Sequence, residues 1–467
     1  MIVVCPKCGV KNSIPEFTDP RNNYLCAKCR TRLTITPKVR VPEESRGAVT
    51  RPDGTDTPGL VQVEKSAAHQ RRLTSVVSWL QSRETQLILG LAALALVIHL
   101  LAIPYSNVQI YDERYYVFEA RSIIHGGSLT TPEHPSLGKL FITSGILIFG
   151  DNPWGWRVPS AIFGVAAVVI FYLICRRLAE RLTALFAAIL FLFESLTFAI
   201  SGLAMLDAFS LTFMLLAFLF YLQDKYVISG VSLGLSALCK MTGMLGIMVI
   251  LLHWLIKRRK GPPRRIVFFL ISTFVVFLGL MPVVDFAATR EWLNPLDRLS
   301  FAFSFMQGLT FDIAPTELRA TEYPWQWILN PIGVRIDDIY WYVLKISPTV
   351  FIMIIPSMGY MAYKFASKKT DIALFAILWF AATYLSWVAL VLLTDRVTHY
   401  YYFYPTVGAV CMAIGFALNR FWQISSEVWE GQYRQLIKIS IIGYFVVHAW
   451  FWLYLAPILG HSSAQVT

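Results

Sequence analysis

Asp112 and Glu113 stand side by side in Tyr111-Asp112-Glu113-Arg114-Tyr115-Tyr116, and two adjacent carboxylates among aromatic rings offer one general base and one supporting acid or ligand. Solvated loop acids would look the same in isolation, so the company they keep decides. His134 and Lys139 flank a rigid turn in His134-Pro135-Ser136-Leu137-Gly138-Lys139, and Arg157 ends the run Asn152-Pro153-Trp154-Gly155-Trp156-Arg157. Asp207, in Ala204-Met205-Leu206-Asp207, and Lys240, in Cys239-Lys240-Met241-Thr242-Gly243, lie within strongly apolar sequence. Charges in such places cost roughly 2.5 kcal/mol or more unless paired or hydrated, so they should face a cavity. Arg396, His399 and Tyr400 fall in Asp395-Arg396-Val397-Thr398-His399-Tyr400-Tyr401-Tyr402. A belt of interfacial aromatics with salt-bridging charges accounts for the tyrosines but less well for the histidine and arginine, while Arg157 alone also fits a snorkelling anchor. The inventory as a whole combines carboxylates able to abstract a proton with cations able to hold an anionic group.

A second constellation is of another kind. Cys5-Pro6-Lys7-Cys8 and Cys26-Ala27-Lys28-Cys29 are two CxxC knuckles with seventeen residues between them, a spacing that lets four thiolates converge on one Zn2+ ion. Four thiolates complete a tetrahedral shell and leave no position for water or substrate. The expectation is therefore a structural zinc, folding a ribbon over residues 1–36 too small to fold unaided. Paired disulfides are the rival reading, disfavoured in a reducing compartment. Cys175, Cys239 and Cys411 lie singly in apolar runs and read as small buried hydrophobes.

The elements that must position these groups are membrane helices. Of 467 residues 56% are hydrophobic and 15% charged, with a mean hydropathy of +0.55, too little polar surface to coat a soluble globule of this size. The net charge of +12 does not signal nucleic acid, because the basic residues sit in short loops between apolar runs, as orientation signals do. Residues 37–84 form a polar linker, and residues 85–460 an all-α membrane domain. About eleven apolar runs of roughly 17 to 22 residues recur there, each able to cross a hydrocarbon core of about 30 Å. Their centres fall near Leu94, Val168, Ile189, Leu215, Leu233, Met248, Phe274, Ile355, Trp379, Val410 and Phe445. With alternating direction, the clusters Arg71/Arg72/Arg83, Arg176/Arg177/Arg181, Lys257–Arg265 and Lys364/Lys368/Lys369 share one face, which the positive-inside rule makes cytoplasmic. The ribbon, with a cytoplasmic partner the sequence does not name, belongs to that face. No cleavable signal peptide is evident, so the first span does the targeting. Two long outer loops, 105–155 and 287–345, occupy the other face with every group named in the first paragraph. The apolar stretch Leu137 to Gly150, too short to span, should lie along the outer surface or re-enter it. Carboxylates and cations gathered at an outer membrane face fit a lipid-linked phosphate.

In these residues the chain resembles the protein O-mannosyltransferase family, among the lipid-dependent glycosyltransferases of the C-type fold. The likeness rests on Asp112-Glu113 after the first span, His134 to Lys139 (close to HPPLGK), Phe149 to Pro159 (similar to FGxxPxGWRxP), Met205-Leu206-Asp207, Lys240 to Gly243 and Arg396 to Tyr402, in order and on one side of the membrane. It covers about residues 86 to 420. The resemblance implies transfer of a sugar, mannose in most relatives, from a polyprenyl-phosphate carrier to a protein Ser/Thr hydroxyl at the outer face of a prokaryotic plasma membrane, with inversion at the anomeric carbon. Asp112 would match the catalytic base and Glu113 would support it. His134, Lys139, Arg157, Asp207, Lys240, Arg396, His399 and Tyr400 would bind the donor, Lys139 ranking ahead of Arg396 for the phosphate. A divalent cation at this site stays open. Two departures, Ser201-Gly202 where many relatives carry arginine and the missing β-trefoil insert of eukaryotic members, keep a cell-envelope lipid or glycan open as acceptor. The rivals from other classes are a secondary transporter, which should show internal repeats that are not found here, and a membrane-anchored sensor, which would need far fewer spans.

Overall fold

A computed structural model describes four short strands and residues 82–127, 130–257, 262–311, 322–329, 344–427 and 431–456. The chain divides into two units, Met1–Ser75 and Val76–Thr467. In the first, β1 (Ile2–Val4) pairs antiparallel with β2 (Lys11–Ser13), and β3 (Tyr24–Leu25) with β4 (Arg32–Leu33). Each pair brackets one CxxC knuckle in the sequence. Cys5, Cys8, Cys26 and Cys29 themselves, and nearly all of the expected linker, lie outside the described residues.

The second unit is helical. It begins with α1 (Arg83–Ala102), capped by the Ser82 hydroxyl, which accepts from the Thr85 N–H. An irregular stretch leads to α2 (Glu113–His125) and α3 (Leu137–Phe149), followed by the long α4 (Pro153–Leu178). The start of α4 is dictated locally. Asn152 caps it by accepting from Trp154 N–H, Pro153 occupies the first turn where no donor is needed, and Gly150 takes the left-handed φ of +84° that turns the chain. A Cβ on Gly145 would collide with the Gly155 carbonyl, so only glycine lets α3 lie this close to α4.

Beyond come α5 (Arg181–Leu192), α6 (Ser195–Gly202), α7 (Leu206–Leu222), α8 (Tyr226–Cys239), α9 (Leu245–Lys257) and α10 (Arg264–Thr289). Next come α11 (Pro295–Gln307) and the short α12 (Gln326–Leu329). The remaining helices are α13 (Pro348–Lys368), α14 (Asp371–Phe380) joined by a π-helical turn to α15 (Ser386–Thr394), α16 (Tyr404–Glu427) and α17 (Gln432–Leu455).

Helices stand at all eleven expected centres, but they are not all alike. Among the described residues seven are long and apolar enough to cross a membrane, or eight if α5 and α6, bent by 60° at their junction, count as one span. The break falls at Glu194, a carboxylate buried inside the apolar run, whose oxygens accept from the backbone N–H groups of Ser347 (2.8 Å) and Thr197 (2.7 Å). A charge there cannot face lipid, so the chain bends to give it donors. α7 and α8 are shorter, at 17 and 14 residues. α3, at 13 residues, is the short apolar helix expected on the outer side.

The helices also sort the charges. Glu84 pairs with Arg176 (3.3 Å) and Arg181 (2.9 Å), and Lys257 donates to the Lys369 carbonyl (3.2 Å), so the basic groups gather at one end of the bundle. Asp112, Lys139, Arg157, Asp207, Lys240 and Arg396 lie at the other.

Candidate active site

The two neighbouring carboxylates have different fates. Tyr111 holds a left-handed φ of +53°, a strained state for an aromatic residue that costs on the order of 1–3 kcal/mol, and Asp112 follows as the residue that starts α2. From there Glu113 turns inward and is fully buried. Its Oε1 accepts from Arg157 Nε (2.9 Å) and the Ala204 N–H (3.0 Å), and its Oε2 from Arg157 Nη2 (2.8 Å) and the Ile110 N–H (3.1 Å). Arg157, also fully buried, spends its other donors on the carbonyls of Ile103, Ser106 and Val108. Asp112 points elsewhere and is half-buried. Its Oδ2 accepts from the Tyr401 hydroxyl at 2.7 Å, and its Oδ1 has no hydrogen bond among the described residues. One carboxylate is thus sealed into the scaffold and the other is open to a ligand.

Lys240 and Asp207 form a second buried pair, Nζ to Oδ2 at 2.7 Å, joining the C-terminal end of α8 to the first turn of α7. The Lys240 ammonium lies 5.6 Å from the centre of the Tyr401 ring and 5.4 Å from that of Tyr402, within range of cation–π attraction. His399 stacks on Tyr401, centroids 5.3 Å apart and rings nearly parallel. Through Tyr401, Asp112, the Asp207–Lys240 pair and His399 join in one chain of contacts.

The His134 turn closes the opposite wall. Glu119, fully buried on α2, accepts from the N–H groups of Thr130 and Thr131 (both 2.6 Å) and pairs with Lys139 Nζ at 3.1 Å. Lys139 Nζ also donates to the Thr131 carbonyl (2.8 Å). From the far side Arg298, on α11, donates to the carbonyls of Pro132 and His134 and faces Asp285 at 3.4 Å, while Asp285 accepts from the Ser136 hydroxyl at 2.5 Å. His134 is thereby held against Tyr116, ring centroids 6.1 Å apart. Burial, reinforced by Lys240, Lys139, Arg396 and Arg298, pushes its imidazole well below the usual range and keeps it neutral.

Arg396 sits on a short extended segment. Val397 N–H donates to the Leu309 carbonyl (3.0 Å), Phe311 N–H to the Asp395 carbonyl (3.0 Å) and Glu322 N–H to the Thr398 carbonyl (3.0 Å). One Arg396 nitrogen donates to the Met306 carbonyl at 2.7 Å, and no carboxylate pairs with the guanidinium among the described residues.

These geometries revise three expectations. Arg157, Lys139 and Lys240, expected at the donor, are buried and paired with Glu113, Glu119 and Asp207, whereas Arg396, ranked behind Lys139, pairs with no carboxylate among the described residues. Glu113 supports the site through the scaffold and has no oxygen to spare for a proton. Tyr400 is directed to the Ile346 N–H (3.3 Å), and its neighbour Tyr401 takes the place beside Asp112. Asp112, His134, Asp207, Lys240, Arg396 and His399 do converge. The sequence reading passed over Glu119, Asp285, Arg298 and Tyr401. Asp285 carried a signal, since a carboxylate near the end of a long apolar run requires a partner. Among the described residues no group of three or more His, Cys, Asp or Glu side chains is arranged to hold a metal ion.

Comparison with known proteins supplies independent context. Residues 133–285 match the dolichyl-phosphate-mannose-protein mannosyltransferase family. A polyprenol-phosphate-mannose–protein mannosyltransferase of Mycolicibacterium smegmatis is 30% identical over 148 residues, 30% of this chain and 29% of that enzyme. The undecaprenyl phosphate-alpha-4-amino-4-deoxy-L-arabinose arabinosyl transferase of Pseudomonas aeruginosa is 29% identical over 182 residues, 34% of this chain and 33% of that one. The matched stretches thus span about a third or less of these relatives. Among solved structures, the Saccharomyces cerevisiae protein O-mannosyltransferase Pmt1–Pmt2 complex bound to the sugar donor superposes with a TM-score of 0.65 at 13% identity, over 81% of this chain and 90% of that one. ArnT from Cupriavidus metallidurans bound to undecaprenyl phosphate superposes at 0.58 and 16% identity, over 81% and 77%.

Proposed function

We propose that this integral membrane chain, whose helical unit has the C-type glycosyltransferase fold, is an inverting glycosyltransferase that moves a sugar, mannose in the first instance, from a polyprenyl-phosphate carrier to a hydroxyl acceptor. The carrying observation is the contrast at residues 112 and 113: one carboxylate buried and neutralised, the other half-open with a free oxygen beside Tyr401. Asp112 takes the acceptor hydroxyl proton as that oxygen bonds to the anomeric carbon, and the carbon–phosphate-oxygen bond breaks on the opposite face of the ring. Displacement from behind inverts the centre. The carrier phosphate departs as a stable anion, so no general acid is required, and Arg396, whose guanidinium pairs with no carboxylate among the described residues, is the cation placed to stabilise it. Tyr401 holds Asp112 through one oxygen and leaves the other for the proton.

Similarity to protein mannosyltransferases favours a protein Ser/Thr hydroxyl as acceptor, and similarity to the arabinosyl transferase keeps a cell-envelope lipid or glycan as the second reading. The basic end of the bundle faces the cytoplasm of a prokaryotic cell by the positive-inside rule, with the catalytic end outside. The test is transfer of label from polyprenyl-phosphate-mannose by detergent-purified protein. Asp112→Asn should lower turnover by about 10²- to 10⁴-fold while shifting thermal unfolding by no more than a few degrees. Transfer at the wild-type rate by that variant eliminates Asp112 as base, and proton-coupled flux in liposomes without transfer would favour a transporter.

The N-terminal unit is a structural zinc ribbon on the cytoplasmic side, where it serves docking or stability. The reading is supported by two knuckles, each bracketed by a pair of short antiparallel strands. Metal analysis of purified protein should give one zinc per chain, abolished by replacing Cys5 and Cys8 with Ser; zinc-free protein refutes it.

A further inference from the structure

The turn that carries His134 is held with more interactions than its own stability requires. Glu119 and Lys139 bind it from one side, and Arg298 and Asp285 from the other. Nearly every polar group around it has a partner. Three buried atoms there lack a hydrogen bond, Glu133 Oε2, His134 Nδ1 and Asp285 Oδ2; the last faces Arg298 at 3.4 Å, which leaves the first two, on adjacent residues, as the exceptions. A buried polar atom left unpaired costs about 1–3 kcal/mol, and folded proteins rarely leave two together. The two side chains are 13% and 16% exposed, and Glu133 Oε1 is 3.8 Å from His134 Nε2. Both feel the charge of Lys240. His134 also feels Arg396, the cation assigned to the carrier phosphate.

We infer that Glu133, with His134, binds neighbouring hydroxyls of the donor pyranose and so selects the sugar. This rests on the glycosyltransferase reading and assigns Glu133, which the motifs above do not include. The chemistry separates sugar from phosphate. A carboxyl oxygen beside a neutral ring nitrogen suits neutral hydroxyl groups, which donate and accept, whereas a carboxylate repels phosphate. The cation for the phosphate is supplied elsewhere, by Arg396. Burial pushes the Glu133 carboxyl up from its ordinary value, and its unpaired oxygen can accept from a sugar hydroxyl. A site built to pair a hydroxyl penalises a ligand that lacks it, because its own buried groups are then left unsatisfied.

The experiment compares two lipids on full-length protein in detergent: polyprenyl-phosphate-mannose and the same polyprenyl phosphate without sugar. Wild type should bind the mannosylated lipid more tightly. Glu133→Ala should lose about 10- to 100-fold for the mannosylated lipid and bind the bare carrier as wild type does, with Glu133→Gln between them. Unaltered binding of the bare carrier also certifies that the variants fold. Equal losses on both lipids, or no loss on either, overturn the inference, as does a wild type that gains nothing from the sugar. An acceptor-side role would appear instead as a raised acceptor KM with donor affinity intact. If wild type binds neither lipid, the glycosyltransferase reading itself fails.

Discussion

Replacing Glu113 with glutamine tests whether adjacent carboxylates have separate roles. The side chain keeps its shape and can still accept one or two of its four hydrogen bonds, but the guanidinium of Arg157 is left charged, fully buried and without its counterion. Removing one partner of such a pair costs about 3–5 kcal/mol, most of it the uncompensated charge. The carbonyls of Ile103, Ser106 and Val108 still receive Arg157 and soften the loss, so the lower half of that range is the better expectation. Scaled by the roughly 2–4 °C per kcal/mol typical of domains of 150–250 residues, Glu113→Gln should unfold about 5–15 °C below wild type. Asp112→Asn, one residue away, disturbs one hydrogen bond to a half-exposed group and should shift unfolding by no more than a few degrees. Scanning fluorimetry in a single detergent reads both. The reasoning is refuted if Glu113→Gln unfolds within about 2 °C of wild type, or if Asp112→Asn is the less stable of the two.

Two further expectations follow from the same geometry. Glu119→Gln and Lys139→Met should each destabilise the protein, yet the double variant should be more stable than either additive sum, because no buried charge is then left alone; purely additive losses on thermal unfolding would contradict the pairing. His134 should make stability depend on pH. Its folded-state pKa lies below the ordinary 6.5, so the unfolded chain takes up the proton more readily; stability is full above about pH 6.5 and falls as the pH drops below it. The fall between pH 7.5 and 5.5 should be smaller in His134→Gln, and equal slopes would show that the imidazole is not held neutral.

The bundle could be read from the sequence because hydropathy at membrane thickness is a local signal, and every expected centre, from Leu94 to Phe445, carries a helix. What local signals cannot give is the choice among partners. Asp112 and Glu113 look equivalent in the chain; their divergence is set by the left-handed Tyr111 and by Arg157, forty-four residues on. Lys139 looked like the better phosphate ligand because its motif is tight, and only the fold reveals Glu119 waiting for it. Arg396 is available for the converse reason, since the strand it sits on meets backbone partners and offers it no carboxylate. The kink at Glu194 could have been suspected, because an acid inside an apolar run must be given donors.

The short helices α7 and α8 set the depth of the Asp207–Lys240 pair. Arg177 near the inner end of α4 donates to the Leu222 carbonyl at the inner end of α7, so the two helices start from a common level. α4 rises about 39 Å over its 26 residues and α7 about 25 Å over its 17. Asp207, with Lys240 attached, therefore stands some 10 Å or more below the rim where α4 emerges. A hydrocarbon core of about 30 Å closes above that level. The floor of the site thus lies just inside the hydrocarbon boundary: under the function proposed above, a carrier anchored by its tail would reach it sideways from the bilayer, while a water-soluble acceptor would have to enter from the rim.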